Sequence, residues 1–357
     1  MDPLTHGLLG AAAAQAVFAR KLPRSAWLVG AVAAMSPDLD VFIQSDTDPL
    51  LDLIYHRHFT HALAFIPVGG LLIGAIFAML PFFRGDRRSV LGAATIAYAT
   101  HSLLDACTSY GTLLFWPFSY QRIAWDFIAI IDPFFTGVLL VGVVVVLFLK
   151  RPAPARIALA LAGFYMAFGA LQHHRVMSVQ RELAAARGQT IMRGRVLPTP
   201  LNLTLWRSIY LADDGRLYAD GIRGSIVSPP TVRPGDSAPR ATMEDLPPAV
   251  ARESEVRRAF KIFRWFADGY LMRDPANPRF IGDMRYAMPP ESMSPMWGLW
   301  LPGAGSRAHP HMGGAPRNRR DAVSRAWQAI WGRDPGYISV RSWVMTLPRK
   351  AGASQTR

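Results

Sequence analysis

Cysteine is almost absent from this chain of 357 residues. Its single cysteine, Cys107, excludes an internal disulfide bond and a zinc site made of several cysteines. The chain also lacks a cluster of Lys and Arg with interleaved aromatic residues, so we expect no specific nucleic-acid partner despite the net charge of +14. An ordinary signal peptide is not predicted at the N-terminus, because Asp2 precedes the first apolar run and the basic residues follow it.

Charged residues are scarce in the first half of the chain. Residues 1–171 contain 11 of the 39 Lys and Arg residues and 10 of the 25 Asp and Glu residues, placed between long apolar runs. Residues 172–357 hold the remaining charged residues and carry a net charge of +13. This contrast predicts an α-helical integral membrane domain, followed by a smaller basic α+β domain that is soluble.

The long apolar runs of the first half define the expected helices. The candidates for spanning helices are residues 61–83, 90–106, 127–149 and 157–171. Two shorter apolar segments occupy residues 7–19 and 26–36. A full span needs about 20 apolar residues, so the pattern predicts about four spanning helices and two short apolar helices.

Most basic residues of this half lie in three short loops. The loops contain Arg20, Lys21 and Arg24, then Arg84, Arg87 and Arg88, and finally Lys150, Arg151 and Arg156. The positive-inside rule places these loops in the cytoplasm. The expected location is therefore a bacterial inner membrane that the chain crosses several times, with the intervening segments and the C-terminal domain on the periplasmic side.

Histidines and acidic residues gather on the outer side of the predicted membrane. The outward segments, with the helix ends that touch them, hold all five histidines and nine of the ten acidic residues of this half. His101 and Asp105 are four residues apart, so on a helix they share one face. Asp38 and Asp40 follow a proline in "SPDLD", where a loop directs both carboxylates at one point.

Imidazole and carboxylate groups in this combination predict a metal site. Zn²⁺, Mn²⁺ and Fe²⁺ accept such mixed ligands, and the set exceeds what one zinc ion needs, so we expect two or more metals per chain. Some residues also have an ordinary interpretation: Asp2 as a terminal residue, His58 as a surface residue, Cys107 as a packing residue and Asp132 as a helix cap. The role of Asp126 stays open.

The motifs that carry these residues follow one another in a characteristic order. They are "DPLTHGLLG", "SPDLD", "YHRHFTHA", "THSLLDACTSYGT" and "FWPFS" followed by "IIDP", and they cover about residues 1–135. In this order they resemble the membrane-bound metal-dependent hydrolase family typified by YdjM. Further along, "LPTPLNLTLWR" resembles the members that are extended by a soluble C-terminal domain. His58 occupies a position where the family pattern fixes no histidine.

The resemblance implies metal-dependent hydrolysis, and this family is thought to be remotely similar to zinc-dependent phospholipase C and related zinc nucleases. It nominates seven metal ligands: His6, Asp38, Asp40, His56, His61, His101 and Asp105. A metal lowers the pKa of its water from about 15.7 toward 7, and Asp38 or Asp40 is then the expected catalytic base. Arg57 is either a catalytic clamp for a phosphate or carboxylate group or an anchor at the membrane interface.

A site at the membrane surface favours a substrate that has one end in lipid. We therefore expect the substrate to be a phosphoester of a phospholipid or of a lipid-linked intermediate. Two other functions stay open. The same His and Asp residues suit a metal- or proton-coupled transporter, and a structural metal in a non-catalytic membrane scaffold would also use them.

Composition also predicts the domain boundaries. Residues 1–171 form the expected membrane domain, 172–189 a helical connector, 190–349 the soluble domain and 350–357 a basic tail. In the soluble domain, "TIMRGRVL", "LTLWRSIYLA" and "GRLYADGIRGSIV" predict strands, the last two joined by a "DDG" turn. The stretch "RRAFKIFRWFADGYLM" predicts an amphipathic helix that packs on the sheet or lies on the bilayer, and "GYISVRSWVMTL" predicts a final strand.

Overall fold

The computed structural model describes most of the chain. The described residues are 1–23, 25–45, 47–225, 228–246, 248, 250, 252–303, 309–315 and 320–347. Arg24, Asp46 and the predicted tail 350–357 lie outside them. Helices make up the N-terminal part, and β-sheets form the framework of the C-terminal part.

The described N-terminal part contains seven α-helices and four short 3-10 helices. The α-helices are α1 (Pro3–Phe18), α2 (Ala26–Met35), α3 (Leu51–Tyr55), α4 (Ile66–Met79), α5 (Arg87–Ala106), α6 (Pro133–Leu149) and α7 (Ala153–Ala186). The 3-10 helices are Ser36–Phe42, Phe59–His61, Leu63–Phe65 and Pro81–Asp86. Three helix pairs pack as hairpins, α1 with α2, α4 with α5 and α6 with α7, and α1 also contacts α5, α6 and α7.

Glycines allow the first two helices to approach closely. A Cβ atom on Gly10 would lie 2.5 Å from the carbonyl oxygen of Gly30, and one on Gly30 would lie 2.3 Å from that of Gly10. Backbone contact of this kind is typical of helices that pack through small residues. Near the start of α1, Gly7 faces the Met35 side chain at the end of α2. The first turns of α1 are therefore held beside the segment that follows α2.

The prediction of about four spanning helices is wrong. Among the described residues, only α7 is long and apolar enough to cross a membrane by itself. The segments Leu51–His61 and Leu63–Met79 reach that criterion only together, as a pair bent by 57°. By length and composition, the described residues therefore contain one candidate span, or two candidate spans if the bent pair forms a single broken span.

The predicted runs fall short of a span for two physical reasons. In runs 61–83 and 127–149 the α-helices are only 14 and 17 residues long, because each starts several residues into its run, at a proline in its first turn. These helices are about 21 and 25 Å long at 1.5 Å per residue, whereas the hydrocarbon core is about 30 Å thick. Run 90–106 does lie in a 20-residue helix, but its polar residues, among them His101 and Asp105, lower the mean hydropathy.

Two antiparallel sheets form the framework of the C-terminal part. The first has the strand order β1 (Ile191–Pro198), β2 (Leu205–Ala212), β3 (Arg216–Arg223), β4 (Thr231–Pro239) and β9 (Ile338–Ser339). The second has the order β5 (Leu271–Arg273), β6 (Phe280–Asp283), β7 (Trp297–Trp300) and β8 (His311–Gly314). The three predicted strands at 190–227 contain β1, β2 and β3, and the "DDG" turn joins β2 to β3 as expected.

The amphipathic helix is α8 (Ser254–Phe266), and it packs inside the protein. Phe260, Phe263 and Phe266 on its apolar face are fully buried in a cluster with residues of the second sheet. This burial shows that the helix packs on the sheet and does not lie on the bilayer. Two further helices follow, α9 (Arg320–Ile330) and α10 (Val340–Thr346). The predicted final strand is wrong beyond its first residues, because Ser339 accepts a hydrogen bond from the Ser342 amide and caps α10 there.

The two parts of the protein meet on the side where α3 lies. Leu50 and Leu53 belong to the same buried cluster as the apolar face of α8. Helix α7 continues from the helical part into the first sheet, where the Gln180 amide donates hydrogen bonds to the carbonyl oxygens of Arg195 and Ile209. The C-terminal part is thus packed against the end of the helical part at which α1 begins and α5 ends.

Candidate metal centre

Six of the seven nominated ligands fall into two groups at that end of the helices. Asp38, His61, His101 and Asp105 form the first group, and Asp38, Asp40 and His56 form the second. Within each group the candidate ligand atoms all lie within 4.8 Å of one another. Asp38 belongs to both groups, so the two form one continuous site.

Short local structures bring these residues together. The 3-10 helix that starts at Ser36 presents Asp38 and Asp40, and the last turns of α5 present His101 and Asp105. Between His56 and His61 the chain reverses through Arg57, whose φ of 61° lies in the left-handed region. A non-glycine residue rarely adopts this conformation, and such residues are frequent at functional sites.

The first group has the spacing of a tetrahedral metal site. Oδ1 of Asp38 lies 3.4 Å from Nε2 of His61 and 3.4 Å from Nε2 of His101. Oδ2 of Asp105 lies 3.3 and 3.4 Å from the same two nitrogen atoms. Ligands at about 2.0–2.1 Å from a tetrahedral zinc ion are about 3.3–3.4 Å apart. These four separations therefore match a zinc site, while the Nε2 atoms of His61 and His101 would have to move apart to accept the ion.

The two imidazoles face each other through their Nε2 atoms, which are 2.8 Å apart. His101 must donate its Nδ1 hydrogen, because Nδ1 lies 2.6 Å from the carbonyl oxygen of Ala34. Nδ1 of His61 lies 3.0 Å from the Thr60 hydroxyl and 3.2 Å from Oδ2 of Asp40, and it donates there. Both Nε2 lone pairs then point into the site, an arrangement that only a proton or a cation between them makes favourable.

Asp105 connects two sides of the site. It is fully buried, and its Oδ2 has no hydrogen-bond partner of good geometry among the described residues, although Nε of Arg57 lies 3.0 Å away. Its Oδ1 contacts the Met1 amino group and lies 3.0 Å from Nε2 of His6. A buried carboxylate oxygen with this unused acceptor capacity suits a cation, so the residues present fit a divalent metal.

His6 lies beside the first group without belonging to it. Its ring stacks on that of His101 with centroids 3.6 Å apart. Its Nδ1 atom is buried and has no hydrogen-bond partner among the described residues. The structure therefore places His6 behind His101 and Asp105, in contact with both.

Asp40 is surrounded by hydrogen-bond donors. Its Oδ1 lies 2.8 Å from Nδ1 of His56, and its Oδ2 accepts from the Arg57 amide and the Thr60 hydroxyl, each at 2.9 Å. The remaining ring nitrogen of His56, Nε2, is then available for a ligand or a proton. Sequence reasoning did not assign Thr60 to the site; its place directly before His61 was the only signal.

The pKa values of the two neighbouring carboxyls are low. Burial raises the pKa of Asp38, but its contacts with His101 and His61 outweigh that effect and hold the pKa well below its usual range. Burial likewise raises the pKa of Asp40, and its contacts with His56 and His61 outweigh it and bring the pKa well below its usual range. Both carboxylates are therefore ionised at neutral pH and concentrate negative charge where the imidazoles meet.

Arg57 and Tyr110 close the site on the side of the C-terminal part. Arg57 is buried against Asp105 and donates a hydrogen bond of 2.9 Å to the Thr108 hydroxyl. Its guanidinium carbon lies 4.7 Å from the centre of the Tyr110 ring, which in turn contacts Phe266 of α8. Tyr110 could not be recognised from the sequence, because its role depends on packing between residues far apart in the chain.

Several other acidic residues and a histidine of the first half serve other contacts. Asp2 caps α1 by accepting from the Thr5 amide, and Asp132 caps α6, as its alternative interpretation predicted. Asp126 pairs with an arginine of β1, and His58 lies among aromatic rings. Burial raises the pKa of the Cys107 thiol to about 12, so this thiol stays protonated and is a poor metal ligand.

Comparison with known proteins shows a family similarity in the helical part. Residues 1–176 match the model of the YdjM inner membrane protein family. The match contains all seven nominated metal ligands and ends within α7. No match was found to a curated protein or to a solved structure.

Proposed function

We propose that this inner membrane protein, whose residues 1–176 belong to the YdjM family, is a metal-dependent hydrolase. The observation that carries the proposal is the pair of Nε2 atoms of His61 and His101, which are 2.8 Å apart between Asp38 and Asp105. Both rings use Nδ1 as a donor, so two imidazole lone pairs and two carboxylates converge on one buried point. Zinc is the metal that best suits this ligand set.

A second metal would use the other group. His56 and Asp38 would hold it, with Asp40 as a further candidate ligand, and Asp38 would be shared between the two ions. A divalent cation at such a site supplies Lewis acidity and lowers the pKa of a coordinated water toward 7. Two metal ions per chain would be compatible with the two-metal sites of many phosphoester hydrolases.

With one metal bound, we assign proton transfer to the pair His56 and Asp40. Asp40 already accepts hydrogen bonds from three neighbours, so it is better suited to orient His56 than to take a proton from water itself. The His56 side chain is 18% exposed, which leaves its Nε2 within reach of solvent. Arg57 is assigned to holding Asp105 rather than to clamping an anion, since the two are in ion-pair contact.

The proposed substrate is a phosphoester of a lipid or a lipid-linked molecule. The site lies at one end of the helices, beside α1, which packs against the candidate span α7. Gathering of all the ligands at one end favours hydrolysis at the membrane surface over a transport pathway, which needs ligands through the depth of the bilayer.

The proposed orientation places the site and the C-terminal part in the periplasm. Lys150 and Arg151 precede α7 at the end opposite the site, as Arg20 and Lys21 follow α1 there, and the positive-inside rule assigns that end to the cytoplasm. In a Cys107→Ala background, a membrane-impermeant maleimide should label Arg252→Cys in intact spheroplasts and leave Lys21→Cys unlabelled. The reverse pattern would refute this orientation.

Metal content and hydrolysis test the function together. Detergent-purified protein should contain at least one zinc ion per chain by elemental mass spectrometry, and His61→Ala and Asp38→Ala should lose it. His174→Ala is the matched control, because His174 is an exposed histidine outside the site. Hydrolysis of bis(p-nitrophenyl) phosphate should disappear on chelation and return with zinc. Absence of bound metal after dialysis against zinc and manganese would end the hydrolase interpretation.

A further inference from the structure

A cavity of about 580 Å³ lies between the helical part and the C-terminal part. The stretch from Gly111 to Phe127 forms one wall, and α7, β1 and the end of α8 form the others. Its lining includes three arginines, Arg122, Arg195 and Arg285. The cavity is next to the candidate metal centre. A ligand in it needs an arginine that is not already engaged in an ion pair.

Ion pairs account for all the charged lining residues except Arg122. The pairs are Arg195 with Asp126, Arg285 with Asp283 and Asp268 with Arg193. Arg122 has no ion-pair partner among the described residues; its hydrogen bonds go to the carbonyl oxygens of Gly111 at 2.7 Å and His56 at 3.4 Å. Its charge is therefore the uncompensated one in the cavity.

Arg122 is fixed in place with donor capacity left over. Its guanidinium carbon lies within 5.4 Å of the ring centres of Tyr110, Trp265 and Phe266. Its Nε atom is buried and has no hydrogen-bond partner among the described residues. Burial lowers the pKa of Arg122 to about 10, so the side chain is still charged at neutral pH. A partly buried cation without a counter-charge and with an unused donor favours an anionic ligand.

The cavity is connected to the metal centre by two shared residues. The carbonyl oxygen of His56 accepts from Arg122, while the ring of His56 contacts Asp40. The Tyr110 ring is contacted by Arg122 on the side of the cavity and by Arg57 on the side of the site. Phe127, which packs on His173 of α7, and Met177 of α7 give the cavity an apolar surface. The cavity therefore combines an anion-binding end with an apolar wall.

We propose that this cavity binds a phosphate-bearing group through Arg122 and so holds the substrate beside the metal centre. This inference rests on the proposed function for its biological meaning, but the binding itself does not require the metal. Phosphate is the class of anion that suits the site, since a guanidinium donates two parallel hydrogen bonds to its oxygen atoms. The bound group is either the headgroup of a membrane lipid or a free phosphate compound.

Calorimetric titration of the full chain, purified in detergent and treated with a chelator, tests the proposal. Two probes distinguish the sources: inorganic pyrophosphate, and a short-chain phosphatidic acid below its micelle concentration. We expect at least one of them to bind the wild type, and Arg122→Gln to weaken that binding at least tenfold. Arg122→Lys keeps the positive charge but loses the planar guanidinium that donates two parallel hydrogen bonds. Its affinity should therefore lie between those of the wild type and Arg122→Gln.

Two further variants make the outcome specific. Arg252→Gln removes an exposed positive charge elsewhere and should bind like the wild type. His61→Ala should also keep the binding, which would separate this cavity from the metal centre. Preference for phosphatidic acid would identify a lipid headgroup, and preference for pyrophosphate a free phosphate compound; either supports the proposal. Failure of both probes to bind the wild type, or equal binding by Arg122→Gln, would overturn it while leaving the metal experiment untouched.

Discussion

Oδ2 of Asp40 lies 3.2 Å from Nδ1 of His61, and this contact turns the other ring nitrogen, Nε2, toward the candidate metal site. Carboxylates that hold a ligating histidine in this way fix its tautomer and raise its basicity. Oδ1 of Asp40 orients the His56 ring in the same way. One carboxylate thus orients the histidines of both groups, and its removal should affect metal binding.

Asp40→Asn should weaken zinc binding about 10- to 100-fold, the usual effect of losing such a supporting carboxylate. Competition with a fluorescent zinc chelator measures this affinity. Asp38→Asn should have a larger effect, because Asp38 belongs to both groups of candidate ligands. Asp48→Asn changes a carboxylate in the preceding loop and should leave the affinity unaltered. Equal affinities for wild type and Asp40→Asn would mean that His61 does not depend on this contact.

Acidification should release the metal before it unfolds the protein. The pKa values of Asp38 and Asp40 are lowered, so both stay charged until the pH falls well below about 3.9, the value for an unfolded Asp. Their contribution to stability is then complete above that pH and is lost as the pH falls through the lower folded values. The histidines must be neutral to bind metal, so protons compete with the metal for them, and release should occur at a higher pH than the protonation of these carboxylates.

Metal content after dialysis and tryptophan fluorescence, both followed against pH, separate these two steps. The chelated wild type is the control and should show only the second step. A single transition, with metal loss and unfolding at the same pH, would contradict the assignment.

Gly30→Ala should disrupt the site from a distance. The added Cβ would lie 2.3 Å from the carbonyl oxygen of Gly10, and backbone atoms cannot move away as a side chain can. Helices α1 and α2 would separate, and with them His6 and the 3-10 helix that carries Asp38. We expect a lower melting temperature and reduced zinc content. Gly163→Ala is the matched control, because nothing lies within 4 Å of the added atom there, so it should be neutral or slightly stabilising.

The sequence predicts the identity of the site better than the extent of the helices. Spacing places His101 and Asp105 on one face of a helix, and the structure has them there in α5. The number of spans could not be read from apolar runs alone, because a run does not reveal where its helix starts. Prolines at 67 and 133 shorten two of the helices, and the residues before them form 3-10 or irregular structure.

Residues whose role depends on long-range packing carried no signal in the sequence. Tyr110 and Arg122 belong to a segment whose sequence predicts a loop. Their roles depend on contacts with α8 and with the carbonyl oxygen of His56, which are distant from them in the chain. The distinction between Asp38 and Asp40 was equally hidden. The two differ because the left-handed turn at Arg57 directs that residue's backbone amide toward Asp40.

A buried ion pair between Arg195 and Asp126 crosses the junction between the two parts of the protein. Two hydrogen bonds of 2.7 and 3.0 Å join them, and Asp126 is only 3% exposed. Asp126→Asn keeps the shape and tolerates the φ of 57° at this position, but it leaves the buried guanidinium without its counter-charge. Breaking such a pair costs about 3–5 kcal/mol, so the chain should unfold at a clearly lower denaturant concentration.

The matched control for Asp126→Asn is Asp268→Asn, which breaks the exposed pair with Arg193 on a neighbouring surface. Side chains of that pair are 55% and 49% exposed, so its loss should cost less than about 1 kcal/mol. Tryptophan fluorescence during guanidinium titration in detergent compares the two variants. Similar unfolding midpoints for both would mean that solvent reaches the Asp126 pair and that the apolar cluster around α8 alone holds the junction together. A selective loss in Asp126→Asn would show that the ion pair itself fixes β1 against the helical part, and with it the wall of the cavity that contains Arg122.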